Sequence, residues 1–418
     1  MTAGNSFIFD TLKYIPIKVL PAFSGILSIF FLTKKGLLDT DNYLDYTFII
    51  ATLLIIGQIV GGWVNSSVIY YYTGFNTERE RNDFVLNISL LQMLFIAVGA
   101  ISVFATILFA VKSAAVALLS VFILALQSYL TFNYSFFQAQ RQIANQTFAT
   151  LVQALFQIGG LLACYFFFKG SITIFFFFLL LSYFATTIFL FVTGKNVMSV
   201  TFTNKLDYKS FRQILNYGMP ICLWFFLTQI YQVGDRILFK YFDLTVHVGN
   251  YVAFRDFAVG LSGFIAMPLL FASHPIIIMM SKDKSNKAAV EGMLRKNIFI
   301  LTAIFIPLIV ITYFYGEKII GLLVGENYLL SPVLMVVVLF TILLGVISIY
   351  LQKGVEAVGN TMLMLKISAI VATVSITLNF VLMRRFGVNA SIFVSLFCHI
   401  LYCLVIYIYS RKVFRIFF

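Results

Sequence analysis

The segment "LNYGMPICLWFFLTQIYQVGDRILFKYF", Leu215–Phe242, decides how this chain is read. It holds an apolar run long enough to cross a bilayer, which takes about 20 residues at a rise of about 1.5 Å each. Near the end of that run stand two adjacent charges, Asp235 and Arg236. A charge at the centre of a membrane helix costs roughly 2.5–3.5 kcal/mol on insertion scales. The opening of the segment also has a counterpart near the start of the chain. "LKYIPI", Leu12–Ile17, aligns with "LNYGMPI", Leu215–Ile221, matching Tyr14 to Tyr217, Pro16 to Pro220 and Ile17 to Ile221. Lys35 with Lys240, Thr40 with Thr245 and Tyr46 with Tyr251 continue the match, and the offset drifts only from 203 to 205.

The rest of the chain agrees with a membrane reading. Of its 418 residues, 61% are hydrophobic and 11% charged. Soluble domains run nearer half apolar and a quarter charged. Twelve apolar segments are expected as spans, near 14–32, 46–72, 84–110, 114–137, 147–168, 172–193, 214–238, 249–280, 298–315, 332–352, 362–383 and 388–409. Pro268 and Pro275 are expected to kink the eighth, which neighbouring helices tolerate. No linker is long enough for a soluble catalytic domain. The polar start lacks a cleavage site, so the first span is expected to be retained.

An internal repeat of six spans starts both halves on the same side, an arrangement typical of transporters. The expected organisation is a six-helix bundle over 1–193, a linker over 194–213 and a second bundle over 214–418. With the N-terminus inside, inner regions hold 17 Lys and Arg and outer regions 8. Both termini are therefore expected in the cytoplasm. Most of the net charge of +13 is then topology signal and anionic-lipid contact rather than a nucleic-acid footprint.

Polar side chains form stripes. Gln127, Thr131, Tyr134 and Gln138 share one helix face, as do Gln146, Thr150, Gln153 and Gln157. Gln229, Gln232 and Arg236 follow on the seventh span, and Gln58 and Asn65 flank Gly61 and Gly62 on the second. Such stripes line a wet cavity or join helices by hydrogen bonds. Asp235, Arg236, Arg255 and Asp256 fall at the same ends of spans seven and eight and are expected to cluster. Lys18 and Lys366, with Lys353 and Glu356, are expected as a cationic group at the inner ends, where snorkelling is the competing reading. Arg suits bidentate pairing with phosphate, and Lys serves as a point charge. The four cysteines (Cys164, Cys222, Cys398, Cys403) lie in apolar spans and read as core. His247, His274 and His399 are too scattered for a metal site.

"LNYGMPICLWFFLTQIYQVGDRILFKYFDLTVHVGNYVAFRDF", Leu215–Phe257, resembles the Wzx-type polysaccharide flippases of the MOP exporter superfamily. The shared pattern is Tyr217, Gly218 and Pro220; then Asp235, Arg236 and Leu238; then Val248, Gly249, Tyr251, Ala253 and Arg255. "FFLTKKGLLDTDNYLDY", Phe30–Tyr46, is similar to the family's first outer loop but has Leu44 where Gly is usual. The resemblance implies an all-α polytopic membrane protein with twelve transmembrane helices in two six-helix bundles of the MOP or MATE type. It implies flipping of undecaprenyl-pyrophosphate-linked oligosaccharide, O-antigen or capsule units, across the bacterial cytoplasmic (inner) membrane. Further implied partners are membrane lipid, a coupling ion (H+ or Na+) and the polysaccharide polymerase machinery. Lipid II flippases carry two extra helices for which this chain has no room.

The substrate-binding candidates are thus Arg236, Arg255, Asp235, Asp256, Lys18, Lys35 and Lys366. The cavity-lining candidates are Gln127, Gln138, Gln153, Gln157 and Gln232. In this reading Asp235 holds the Arg236 side chain. No catalytic residue, cofactor or metal is expected, and the absence of a GxxxxGK[ST] motif argues against ATP hydrolysis. The competing function is a cation-coupled multidrug exporter. Such a pump needs a midspan carboxylate in the first half, where Asp39, Asp41, Asp45, Glu78, Glu80 and Asp83 all read as loop.

Overall fold

The computed structural model describes residues 3–38, 40–72, 77–140, 142–168, 171–195, 208–244, 247–281, 283–357 and 360–414. Among these residues the chain is helical, with no strand. The elements are α1 (Ala3–Leu32), α2 (Thr40–Gly57), a π-turn (Gln58–Gly62), α3 (Trp63–Tyr71), α4 (Glu78–Val111), α5 (Ala114–Ala139), α6 (Ile143–Phe167) and α7 (Ile172–Val192). They continue with α8 (Tyr208–Val233), α9 (Asp235–Tyr241), α10 (Val248–Ser281), α11 (Lys287–Leu323), α12 (Pro332–Leu351), α13 (Lys353–Ala357), α14 (Thr361–Phe386) and α15 (Val388–Ser410). Each expected span coincides with one of these helices or with consecutive ones. Among the described residues, 11 helices are long and apolar enough to cross a membrane, and Val19–Leu32 is a shorter apolar stretch.

Helix starts follow local chemistry. Thr77 and Glu80 form a reciprocal capping box at the head of α4. Ser113, Ser171 and Asn360 accept from the Val116, Ile174 and Leu363 amides at 3.4, 3.3 and 3.1 Å. This capping corrects one expectation. Glu78, Glu80 and Asp83 are not loop residues but form the first two turns of α4. Asp41 and Asp45 likewise sit early in α2, while Asp39 lies outside the described residues. α10 runs unbroken through Pro268 and Pro275.

Lipid-facing surface is legible in exposure. In the most apolar window of α4 only 17% of residues are buried by protein, and in that of α11 only 22%, so both turn most of their surface outward. Phe109 is 87% exposed and Phe167 77%. In water such patches would aggregate; facing acyl chains they need no partner. The chain is a multi-pass membrane protein.

Two compact units are present: Met1–Leu44 with Ile230–Phe418, and Asp45–Gln229. They cross-cut the expected halves 1–193 and 214–418. In the first unit α1 packs along α10. A Cβ on Gly260 would stand 3.1 Å from Ile26 Cγ1, so the two helices approach closely. Just beyond α1, Lys34 Nζ donates to the Gly321 carbonyl of α11 at 2.7 Å. In the second unit the early part of α8 joins the core around Trp63, Val64, Phe84, Ile88, Phe132 and Cys222. Gly218 of α8 lies so close to the Trp63 ring that a Cβ would overlap it. The first helix of each sequence half thus packs on the second span of the other half.

α6 and α7 pack through another close approach. A Cβ on Gly160 would come 2.7 Å from the Phe178 Cβ. Gly160→Ala is expected to destabilise by about 1–3 kcal/mol, the usual penalty for overpacking. A thermal unfolding curve in detergent measures it, and an unchanged midpoint would show that the helices separate freely there.

Candidate functional site

The four charges predicted to cluster do so. Asp235 and Arg236 open α9, and Arg255 and Asp256 lie one residue apart on α10. The pairing is crosswise, not between chain neighbours. Arg255 Nη1 donates to both Asp235 oxygens at 3.2 Å, and Arg236 Nη2 pairs with Asp256 Oδ1. Adjacent residues on a helix point about 100° apart and do not face each other, so each finds its partner on the other helix. The expectation that Asp235 holds Arg236 is corrected accordingly.

Asp235 is the best-satisfied member of the group. Besides Arg255 it accepts from the Tyr251 hydroxyl at 2.9 Å and the Ser391 hydroxyl at 2.9 Å. The Arg255 guanidinium also lies over the Tyr251 ring, 5.8 Å from its centroid, a cation–π contact. Asp235, Arg236 and Arg255 are 8%, 5% and 8% exposed, and Arg236 Nε is buried without a partner. Two cations and two anions cancel, which is how charge is tolerated away from water. In the described conformation both guanidiniums are taken by carboxylates. Sequence reasoning gave Tyr251 no role and missed Ser391. The reversed order of charges 20 residues apart, Asp–Arg then Arg–Asp, was the signal for the crosswise pairing.

The other candidates are dispersed. Lys35 is exposed, with Nζ 5.7 Å from the Phe30 ring centroid, and Lys366 is exposed on α14. The Lys18 side chain lies outside the described residues. Lys353 is buried and pairs with Glu356 at 2.6 Å, so its charge is cancelled within α13 rather than added to a cationic group. Gln352 Nε2 donates to Glu356 at 2.7 Å, and the Tyr402 hydroxyl donates to Gln352 Oε1 at 3.1 Å.

Of the glutamines, Gln138 meets Gln146 at 3.4 Å, joining the stripes of α5 and α6 as interhelical glue. Gln127, Gln153, Gln157 and Gln232 are partly buried on their helices. His399 is held by the Ser395 carbonyl, 2.8 Å from Nδ1. Among the described residues no three His, Cys, Asp or Glu side chains converge in a metal-binding group.

Comparison with known proteins fits this architecture. A family model described as "Polysaccharide biosynthesis protein" matches residues 25–281, more than half of the chain. Among solved structures, the lipid II flippase MurJ in an inward closed conformation is similar, with a TM-score of 0.72 and 16% identity over 97% of this chain and 88% of that one. A multidrug resistance MATE family transporter of the MOP superfamily, inward-facing, gives 0.69 at 11% identity over 97% of both chains. The Vibrio cholerae MATE transporter VcmN gives 0.69 at 14% identity, covering 99% of this chain and 98% of its own. No curated protein sequence matches. At such identities the structural likeness is one of fold, the all-helical MurJ and MATE transporter fold. On the family match, the chain belongs to the polysaccharide biosynthesis protein family.

Proposed function

We propose that this chain moves undecaprenyl-pyrophosphate-linked oligosaccharide units from the inner to the outer leaflet of the bacterial cytoplasmic membrane. The observation that carries the reading is a polysaccharide-biosynthesis family match on a chain with a transporter fold. The glycan headgroup crosses by alternating access through a cationic passage while the polyprenyl tail stays in lipid. A coupling ion, H+ or Na+, drives the cycle, both termini face the cytoplasm, and the polymerase machinery takes the product. The sequence halves 1–193 and 214–418 are the rocking bodies. In the conformation described α1 is held on α10, and opening parts them. Lys35 and Lys366 supply surface charge, and Arg236 and Arg255 meet pyrophosphate once their carboxylates let go.

The test is loss of the gene product. Cells lacking this chain are expected to accumulate lipid-linked oligosaccharide on the inner leaflet, read by leaflet-selective labelling of the glycan. Normal delivery to the outer leaflet would end the reading. The second reading, a cation-coupled multidrug exporter, draws on the likeness to MATE transporters. The acidic residues of α2 and α4 stand in the first two turns of their helices rather than at midspan, which argues against it. A drug-resistance assay separates the two.

A further inference from the structure

We propose that a second substrate contact lies at the π-turn, where Gln92, Trp63 and Trp224 bind uncharged, hydroxyl-bearing sugar rings of the transported glycan. The inference rests on the flippase reading and names what would hold the sugars rather than the phosphates.

Three observations converge. First, the second span is not a continuous α-helix but passes through the π-turn Gln58–Gly62. Such turns are rare and frequently mark functional sites. Second, the polar groups beside it lack partners. Gln92 of α4 is 4% exposed, and neither its Nε2 nor its Oε1 has a hydrogen-bond partner. A Cβ on Gly61 would lie 3.9 Å from that Nε2. The indole Nε1 of Trp63 and that of Trp224 are also buried without partners. Trp63 packs tilted against Phe95, one helical turn past Gln92, with ring centroids 5.1 Å apart. Trp224 lies tilted against Phe225 with ring centroids 4.7 Å apart, and a Cβ on Gly62 would lie 3.2 Å from the Phe225 ring. Buried polar groups in folded proteins are nearly always paired, so several orphans around one turn ask for a ligand. Third, the elements come from both sequence halves: Trp63 and Gln92 from the first, Trp224 from the second. When the halves part, the closed cluster becomes a wall of the passage.

The chemistry selects the ligand. An amide offers donors and an acceptor together, and an indole offers one donor beside a flat apolar face. A hydroxyl both donates and accepts, so a sugar ring satisfies all three. None of the three side chains carries charge, which leaves a phosphate without a counter-ion there.

The chain's tryptophans number two, and both are at this site, so their fluorescence reports on it alone. The probe is the lipid-linked oligosaccharide that accumulates in cells lacking the chain, added to the full-length protein in nanodiscs. Undecaprenyl pyrophosphate without sugar is the control. The expected result is an emission shift with the glycosylated lipid and none with the bare one. Gln92→Met should weaken that binding about tenfold, as loss of a buried substrate hydrogen bond does, and slow export, while raising the thermal midpoint because an unpaired amide has gone. Gly61→Ala, which has room to fold, should weaken binding as well by filling the space over the amide. Wild-type binding and export by Gln92→Met would overturn the inference and leave the amide a site for ordered water only. An equal emission shift with the bare lipid would also overturn it. If no lipid-linked oligosaccharide accumulates in cells lacking the chain, the flippase reading has failed and this inference falls with it.

Discussion

Asp235→Ala is expected to destabilise the protein by about 3–5 kcal/mol, the penalty for leaving a buried charge without its partner. The carboxylate accepts from Arg255, Tyr251 and Ser391 at once. Removing it strands a guanidinium and orphans two hydroxyls in a protein interior. Replacing both members, Asp235→Leu with Arg255→Met, should recover the part due to the stranded guanidinium, because an apolar pair of similar volume is often neutral or better, while the Tyr251 and Ser391 hydroxyls stay unpaired. Thermal unfolding and membrane abundance measure the first part. Export by the abundant double variant measures the second. If Arg255 meets pyrophosphate during transport, the double variant is stable and inactive. If it exports normally, the pair is a structural tie between α9 and α10 and the substrate assignment is wrong.

Glu356→Ala should have an effect of similar size, about 3–5 kcal/mol, because it leaves Lys353 buried and unpaired. Lys353 is 3% exposed, and Glu356 is its partner at 2.6 Å. Glu356→Gln should lose less, since the amide oxygen can still accept from Lys353, although the amide nitrogen then faces the Gln352 donor. The neighbouring backbone leaves little slack for rearrangement. A Cβ on Gly354 would overlap Ser410. Equal midpoints for the Ala and Gln variants would mean that the lost charge, not the side chain's bulk or remaining hydrogen bond, carries the whole effect.

Much of the fold could be read from apolar run length, because a bilayer fixes the length of a helix that crosses it. All twelve segments became helices for that reason. Acidic residues misled where they sit at helix starts: Glu78, Glu80 and Asp83 read as loop by polarity, yet the first turn of a helix favours carboxylates. Which helix touches which was not legible. Lipid is as apolar as leucine, so hydrophobic pattern carries no information about the partner of α1. The charged cluster was legible because Asp235 and Arg255 had to be neutralised somewhere. Its crosswise geometry needed the angular offset of adjacent residues to be applied on both helices. Ser391 gave no signal, since a serine in a membrane helix commonly bonds its own backbone. The π-turn at Gln58 left only two glycines as a trace.

The embrace of α1 by α10 has a bearing on how the protein is made. α1 ends at Leu32 and its partner begins at Val248, so more than 200 residues separate their synthesis. At about 5–20 residues per second, ribosomes take roughly 10–50 s to cover that interval. Through that time the newborn helix, with prolines at 16 and 21, must lodge in lipid or lean on the insertion machinery. Biogenesis of this protein therefore includes a wait, and agents that prolong it should raise the fraction degraded before assembly.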